Sequence, residues 1–158
     1  MRNWAGLVFI VLGSTSASFA DVTVRFEGVA GETVFQAKEK LSSDITVGDL
    51  SILVLEREAK LKRTTYQGSR EGIRSIGELS SAMEVESDRI MRAYGWCFKV
   101  NGQIPMLYSH EIPLRLSVTE DNNAEIVWFY SYAYYDSGVW TKMCVPADHL
   151  PSEEDRDL

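Results

Sequence analysis

The 158-residue chain is 45% hydrophobic and 25% charged, an ordinary globular composition that excludes wholesale disorder and suits one domain of about 100–200 residues. Its 16 Lys and Arg stand against 23 Asp and Glu, a formal charge of −7, which excludes holding a nucleic-acid backbone by counterion release. The two cysteines and two histidines lack the close pairing of a structural zinc site, and neither a metal nor a cofactor is expected.

The chain opens with Met1 and Arg2, an apolar run from Trp4 to Leu12, and small polar residues from Ser14 to Ser18. Ser18-Phe19-Ala20 then sets small residues before a cut at Asp21. This is the layout of a secretory signal peptide. The apolar run spans about 14 Å as a helix, roughly half the hydrocarbon core, too short for a membrane anchor. The expected division is therefore a signal peptide over 1–20, one domain over 21–145, and an acidic flexible tail over 146–158. The cleaved product is expected to be periplasmic or secreted, with no transmembrane segment. In an oxidising compartment Cys97 and Cys144 have no other partner within the chain, and a disulfide between them is expected. Two buried thiols, or one thiol joined to another molecule, are the alternatives. Closing that loop would add about 4 kcal/mol in the chain-entropy model.

Val22 to Glu27 alternates apolar and polar residues, the period of a half-buried strand. Gly28 to Gly31 reads as a turn and Glu32 to Leu41 as a weaker second strand. Thr46-Val47-Gly48-Asp49 fits a capped helix start, and a helix is expected over Val47–Lys62. Its apolar face reads as Leu50, Leu53, Val54 and Leu61, with Lys60, Lys62 and Arg63 favouring its C-terminus. Thr64 to Gly72 reads as a polar loop, Ile73 to Ile76 as an apolar island, and Glu78 to Arg92 as loop with helical turns. Tyr94 to Val100 is a strand ended by Asn101-Gly102, a strong hairpin turn signal. Leu114, Leu116 and Val118 alternate as another strand. Glu125 to Tyr135 is apolar on both faces, which predicts a central strand covered on one side by the helix.

Gly95-Trp96-Cys97-Phe98-Lys99-Val100-Asn101-Gly102, Glu125-Ile126-Val127-Trp128-Phe129-Tyr130, Thr46 to Leu50 and Gly72 to Ile76 follow one another in an order that resembles the transcobalamin-like C-terminal domain family, of the soluble-ligand-binding β-grasp superfamily. The resemblance covers Val22 to about Tyr132. Glu120 to Ala124 replaces the family's usual Gly-Asp turn, and Ala133 to Leu158 extends beyond its pattern. It implies an α+β single-domain β-grasp: a mixed, mostly antiparallel sheet of four or five strands with one main helix packed across it. It also implies a small organic ligand, a tetrapyrrole among the candidates, contacted from the loops of the sheet.

Eleven aromatic residues fall from Tyr94 to Trp140 inclusive. Their faces can stack on a planar ring or a sugar while their polar tips hydrogen-bond. The candidate ligand-binding residues are Trp96, Trp128, Tyr130, Tyr134, Tyr135 and Trp140, with Asn101, Met106 and Tyr108 from the loop after Val100. Against this, Trp96, Phe98 and Trp128 also suit a sheet core, and the loop also suits folding onto that core. Gly68 to Gly72 can cradle an anion or serve as a plain loop. His110-Glu111 is an acid/base pair only in isolation, and His149 among acidic neighbours reads as part of a solvated tail. No catalytic motif is present: there is no nucleophile elbow, no His-Glu-x-x-His and no P-loop. The sequence thus points to an exported, non-enzymatic binding module for a small organic ligand. The alternative is a protein-interaction or structural module of the envelope or secreted milieu, using the same aromatic edge.

Overall fold

The computed structural model describes residues 20–41, 44–119, 121, 123–152 and 155. The expected signal peptide, apart from Ala20, lies outside the described residues, as do Glu153 and Glu154 of the tail. Among the described residues, nine strands and one α-helix make the structure mostly β. They are β1 (Ala20–Glu27), β2 (Thr33–Leu41), α1 (Val47–Lys62), β3 (Tyr66–Ser69), β4 (Gly72–Ile76), β5 (Leu79–Ser80), β6 (Ala82–Ser87), β7 (Ile90–Val100), β8 (Asn123–Asp136) and β9 (Val139–Pro146).

A six-stranded sheet runs β2-β1-β8-β7-β6, with β9 also paired to β8, and a second sheet runs β3-β4-β5. The β1–β8 pairing is parallel and the others in the large sheet are antiparallel. This overturns the expected four- or five-stranded β-grasp. The segments read as loop, 64–72 and 78–92, supply β3, β5, β6 and the start of β7, and Val139–Pro146 adds β9. Leu114 to Ser117 is a 3-10 turn rather than a strand, burying only Leu114.

The central strand is the one with two apolar faces. Ile126, Trp128 and Tyr130 of β8 are buried on one side, and Val127 and Phe129 on the other. On the first side Ile126 and Trp128 join Val22, Val24 and Phe26 of β1 and Phe35 of β2 beneath α1, with Ile73 and Ile76 of β4 closing the core, while Tyr130 packs with Leu79, Tyr94 and Ala147 in a second cluster. Helix α1 begins where its cap signal places it: the Thr46 hydroxyl accepts from the Asp49 amide at 3.1 Å and donates to the Asp49 carboxylate at 2.6 Å. Its buried face differs from the expected one. At 3.6 residues per turn, Leu53 lies about 200° round from Ser51 and is 57% exposed, and Leu61 is exposed too. The buried arc is instead Val47, Gly48, Leu50, Ser51, Val54, Leu55 and Ala59.

The disulfide between Cys97 and Cys144 joins β7 to β9, with a Cα–Cα distance of 5.7 Å. Both strands pair with β8, and in a flat sheet strands two apart lie about 9.5 Å from each other. The sheet must therefore curl here, and β9 supplies the irregularity: its register shifts between Tyr132 and Tyr134, and Cys144 has φ 53°. Where the sequence suggested a poorly ordered tail from Pro146, Ala147 and Pro151 are buried, and the Ala147 amide donates to the Tyr130 carbonyl at 3.0 Å. Among the described residues no helix is long and apolar enough to cross a membrane.

Candidate functional site

Strand β6 accompanies β7 only as far as Tyr94, opposite Ala82. From Gly95 to Val100 that edge of β7 has, among the described residues, no strand beside it in the large sheet. A cleft of about 280 Å³ opens there, lined by Glu71, Gly72, Ile73, Trp96, Phe98 and Trp128. The loop residues Ile104, Pro105 and Tyr108 form a further wall, and both disulfide cysteines line it as well.

Each aromatic wall is held in place by its neighbours. The Trp128 indole N–H donates to the Ser51 hydroxyl at 2.8 Å, and that hydroxyl donates to the Val47 carbonyl at 2.7 Å. Ser51 thus sits in the middle of the buried arc of α1 because a polar acceptor is needed there. The Trp96 indole N–H donates to the Leu79 carbonyl at 3.1 Å, which fixes it against β5. Phe98 lies 4.9 Å from Trp128, ring centre to ring centre. With its N–H satisfied by the protein, the half-buried Trp96 indole presents apolar surface to the cleft, while Trp128, 2% exposed, backs that wall from within the core.

The opposite wall is a loop tied to the β3–β4 turn. The Ser109 hydroxyl is buried and donates to the Arg70 carbonyl at 2.8 Å. The Glu111 carboxylate accepts from the Tyr108 amide at 3.0 Å, and Tyr108 stacks on His110 with centroids 5.9 Å apart. Asn101 and Gly102 carry φ of 50° and 77°, the pair of left-handed residues that a type I′ turn requires. The Asn101 side chain is a clamp rather than a wall, accepting from the Glu125 amide at 2.8 Å and donating to the Ser117 carbonyl.

Of the residues proposed from sequence, Trp96, Trp128 and Tyr108 line this cleft. Met106 stands fully exposed at the loop tip. Tyr130 is sealed in the core and its hydroxyl donates to the Ser80 carbonyl at 2.6 Å, so it offers no surface to a ligand. Tyr134, Tyr135 and Trp140 lie toward the far end of the sheet. There, strand register sets Met83, Ala93 and Ala133 in one rung and Val85, Met91, Tyr135 and Trp140 in the next. Residues directly opposite share a face, and this is the face away from Tyr94, Trp96 and Tyr130. Met83, Val85 and Trp140 are 40%, 54% and 45% exposed. Tyr134 pairs with Arg92 and falls on the other face.

The sequence reading did not name Glu71, Ile104 or Phe98 individually as binding residues, although Glu71 lies in the Gly68–Gly72 segment, Ile104 in the loop after Val100 and Phe98 in the aromatic cluster that it singled out. The one signal for Glu71 was its place directly before Gly72, at the start of a motif already singled out. Gly68 to Gly72 forms the β3–β4 hairpin rather than an open loop.

A polar cluster lies on the inner face near β6. The Tyr94 hydroxyl donates to the Glu84 carboxylate at 2.9 Å and lies 3.0 Å from His149 Nε2. Arg92 pairs with Glu84 at 3.2 Å and Glu86 at 2.7 Å, and Asp148 meets His149 Nδ1 at 2.6 Å. Burial, then the hydrogen bond to Glu84, pushes the Tyr94 phenol up to about 12, while the hydrogen bond with His149 lowers the Asp148 carboxyl. The cluster fastens the segment after β9 to β6 and β7. Among the described residues no group of three or more His, Cys, Asp or Glu is placed to hold a metal ion. In comparisons with known proteins, no family model, no curated protein and no solved structure matches the chain.

Proposed function

We propose that the chain is an exported, non-enzymatic binding module that takes a small organic ligand into the cleft beside Trp96, Phe98 and Trp128. The observation that carries this is the cleft itself: an open, aromatic-walled hollow whose indole N–H groups are already satisfied by the fold. The motifs that resemble the transcobalamin-like family, around Trp96, Trp128 and Ile73, are the ones that build the wall. Ligand pockets commonly hold about 300–1,000 Å³. A cleft of about 280 Å³ suits a single ring or a compact aliphatic group and is too small to enclose a tetrapyrrole. The N-terminal sequence pattern supports export, and so does the Cys97–Cys144 disulfide, because such bonds persist in oxidising compartments. Titration with a panel of small aromatic and aliphatic compounds, followed by tryptophan fluorescence and native mass spectrometry, tests the reading. Saturable binding lost in Trp96→Leu supports it. No response across the panel removes it.

A second reading, a protein-interaction module, is favoured by the two apolar rungs that end at Val85 and Trp140. A second copy of the chain, meeting this face about a twofold axis, would set like against like. A mass that rises with concentration in light scattering, and stays monomeric in Val85→Glu, supports this reading. A monomer at every concentration ends it.

A further inference from the structure

The aromatic cleft differs from a plain hydrophobic hollow in its electrostatics. Among the described residues, the rings of Trp96, Phe98 and Tyr108 line it, with Trp128 behind them at 2% exposure, and the one charged lining residue is Glu71. No Lys or Arg is among the lining residues. The faces of aromatic rings carry negative charge density and attract cations, indole most strongly. A carboxylate at the same cavity adds a full negative charge, and the whole chain, at −7, reinforces that sign. An anionic ligand would lose its hydration here and gain no counter-charge. A neutral apolar ligand would make no use of the Glu71 charge. A cation whose charge is spread over alkyl groups meets both demands, since its methyl groups pack on the rings and it holds no strong hydration shell to strip away.

We infer that the cleft selects an organic cation, an alkylammonium or quaternary ammonium group seated among Trp96, Phe98 and Tyr108, with Trp128 behind Phe98, and balanced by Glu71. This rests on the reading of the cleft as a ligand site and adds the ligand's charge and class. Glu71 is exposed on the β3–β4 turn, and its backbone carbonyl is approached by the Ser109 hydroxyl at 3.3 Å. The contact that shapes the loop wall thus also ties down the Glu71 backbone. Tyr108, held by the same loop and stacked on His110, is 70% exposed and offers its open surface to a bound cation.

The test compares choline with 3,3-dimethylbutan-1-ol, its uncharged isostere, by tryptophan fluorescence and isothermal titration on the disulfide-bonded protein. Choline is expected to bind about 10-fold more tightly than the alcohol, in keeping with the strength of desolvated cation–π contacts. Glu71→Gln is expected to weaken choline several-fold and leave the alcohol unchanged, and Tyr108→Leu to weaken choline more than Tyr108→Phe does. Both substitutions lie at exposed positions and leave the core intact. Equal affinity for the two probes, or no effect of Glu71→Gln on choline, overturns the cation assignment while leaving the cleft as a binding site. If choline and its isostere both fail to bind, while the wider panel of neutral compounds does bind, the cation assignment again falls alone. Failure of every compound removes the cleft as a site and the assignment with it.

Discussion

Gly48 and Arg70 approach so closely that a Cβ on residue 48 would overlap the Arg70 carbonyl oxygen. The first turn of α1 therefore rests directly on the β3–β4 turn. The amide of His110 lies just beyond, 3.1 Å from the same position. One glycine thus brings together the helix that anchors Trp128, the turn that carries Glu71, and the loop that carries Tyr108. Because the obstacle is backbone, it cannot step aside by changing rotamer.

Gly48→Ala is accordingly expected to destabilise the protein by about 1–3 kcal/mol, the usual cost of overpacking, and to weaken ligand binding through the displaced loop. Urea unfolding and a ligand titration on the same variant check both. An unchanged midpoint would show that the turn and helix are not in register as described.

Ser51→Ala removes the acceptor of a buried indole N–H and leaves that donor unpaired. The expected loss is about 1–3 kcal/mol, with a shift in tryptophan emission as Trp128 changes its surroundings. Ser51→Thr keeps the hydroxyl and is expected to recover part of the loss. Equal destabilisation by both would mean that crowding, not the hydrogen bond, governs this position.

Reduction of the Cys97–Cys144 bond, or Cys97→Ala with Cys144→Ala, is expected to cost about 4 kcal/mol for a loop closed across 47 residues. Both cysteines line the cleft, so ligand affinity is expected to fall as well. Denaturation with and without reductant measures the first effect, and titration under reductant measures the second.

The raised phenol of Tyr94 sets a pH dependence of definite sign. Its ordinary value is 10.0 and burial moves it to about 12, so the folded state favours the protonated form. The stability it contributes is complete below pH 10 and is lost as pH rises through 12. Tyr94→Phe is expected to flatten the part of the alkaline decline that this group supplies. Thermal melts of the two proteins across that window provide the comparison, and parallel declines would contradict the assignment.

The parts of the fold that could be read from sequence are those whose signal is local. Thr46 and Asp49 mark a helix start because a cap needs only its own first turn, and Asn101-Gly102 marks a turn because both residues must take positive φ. The two-faced apolar pattern of β8 required only a central strand. Strand β6 escaped because its apolar residues, Met83 and Val85, stand on the solvent side, while Glu84 points inward to Arg92 and Tyr94. The alternation was present, yet the usual link between apolar and buried was inverted by partners distant in sequence. Leu114, Leu116 and Val118 failed in the opposite way: their alternation is that of a strand, but no strand pairs with them, and Leu116 is left exposed. In the cleft, the indoles were legible as rings. That Trp96 and Trp128 face an opening, and that Glu71 joins them, depends on where β6 stops and how Gly48 seats the β3–β4 turn.

The indole N–H resonances of Trp96, Trp128 and Trp140 report the central claim most directly, because these rings sit at the cleft and at the opposite rungs. Two-dimensional NMR during a choline titration, with each signal assigned by single Trp→Phe variants, is the measurement. Saturable movement of the Trp96 and Trp128 signals, with Trp140 still, is the predicted result. Movement of Trp140 alone, or of none of the three, would contradict the account.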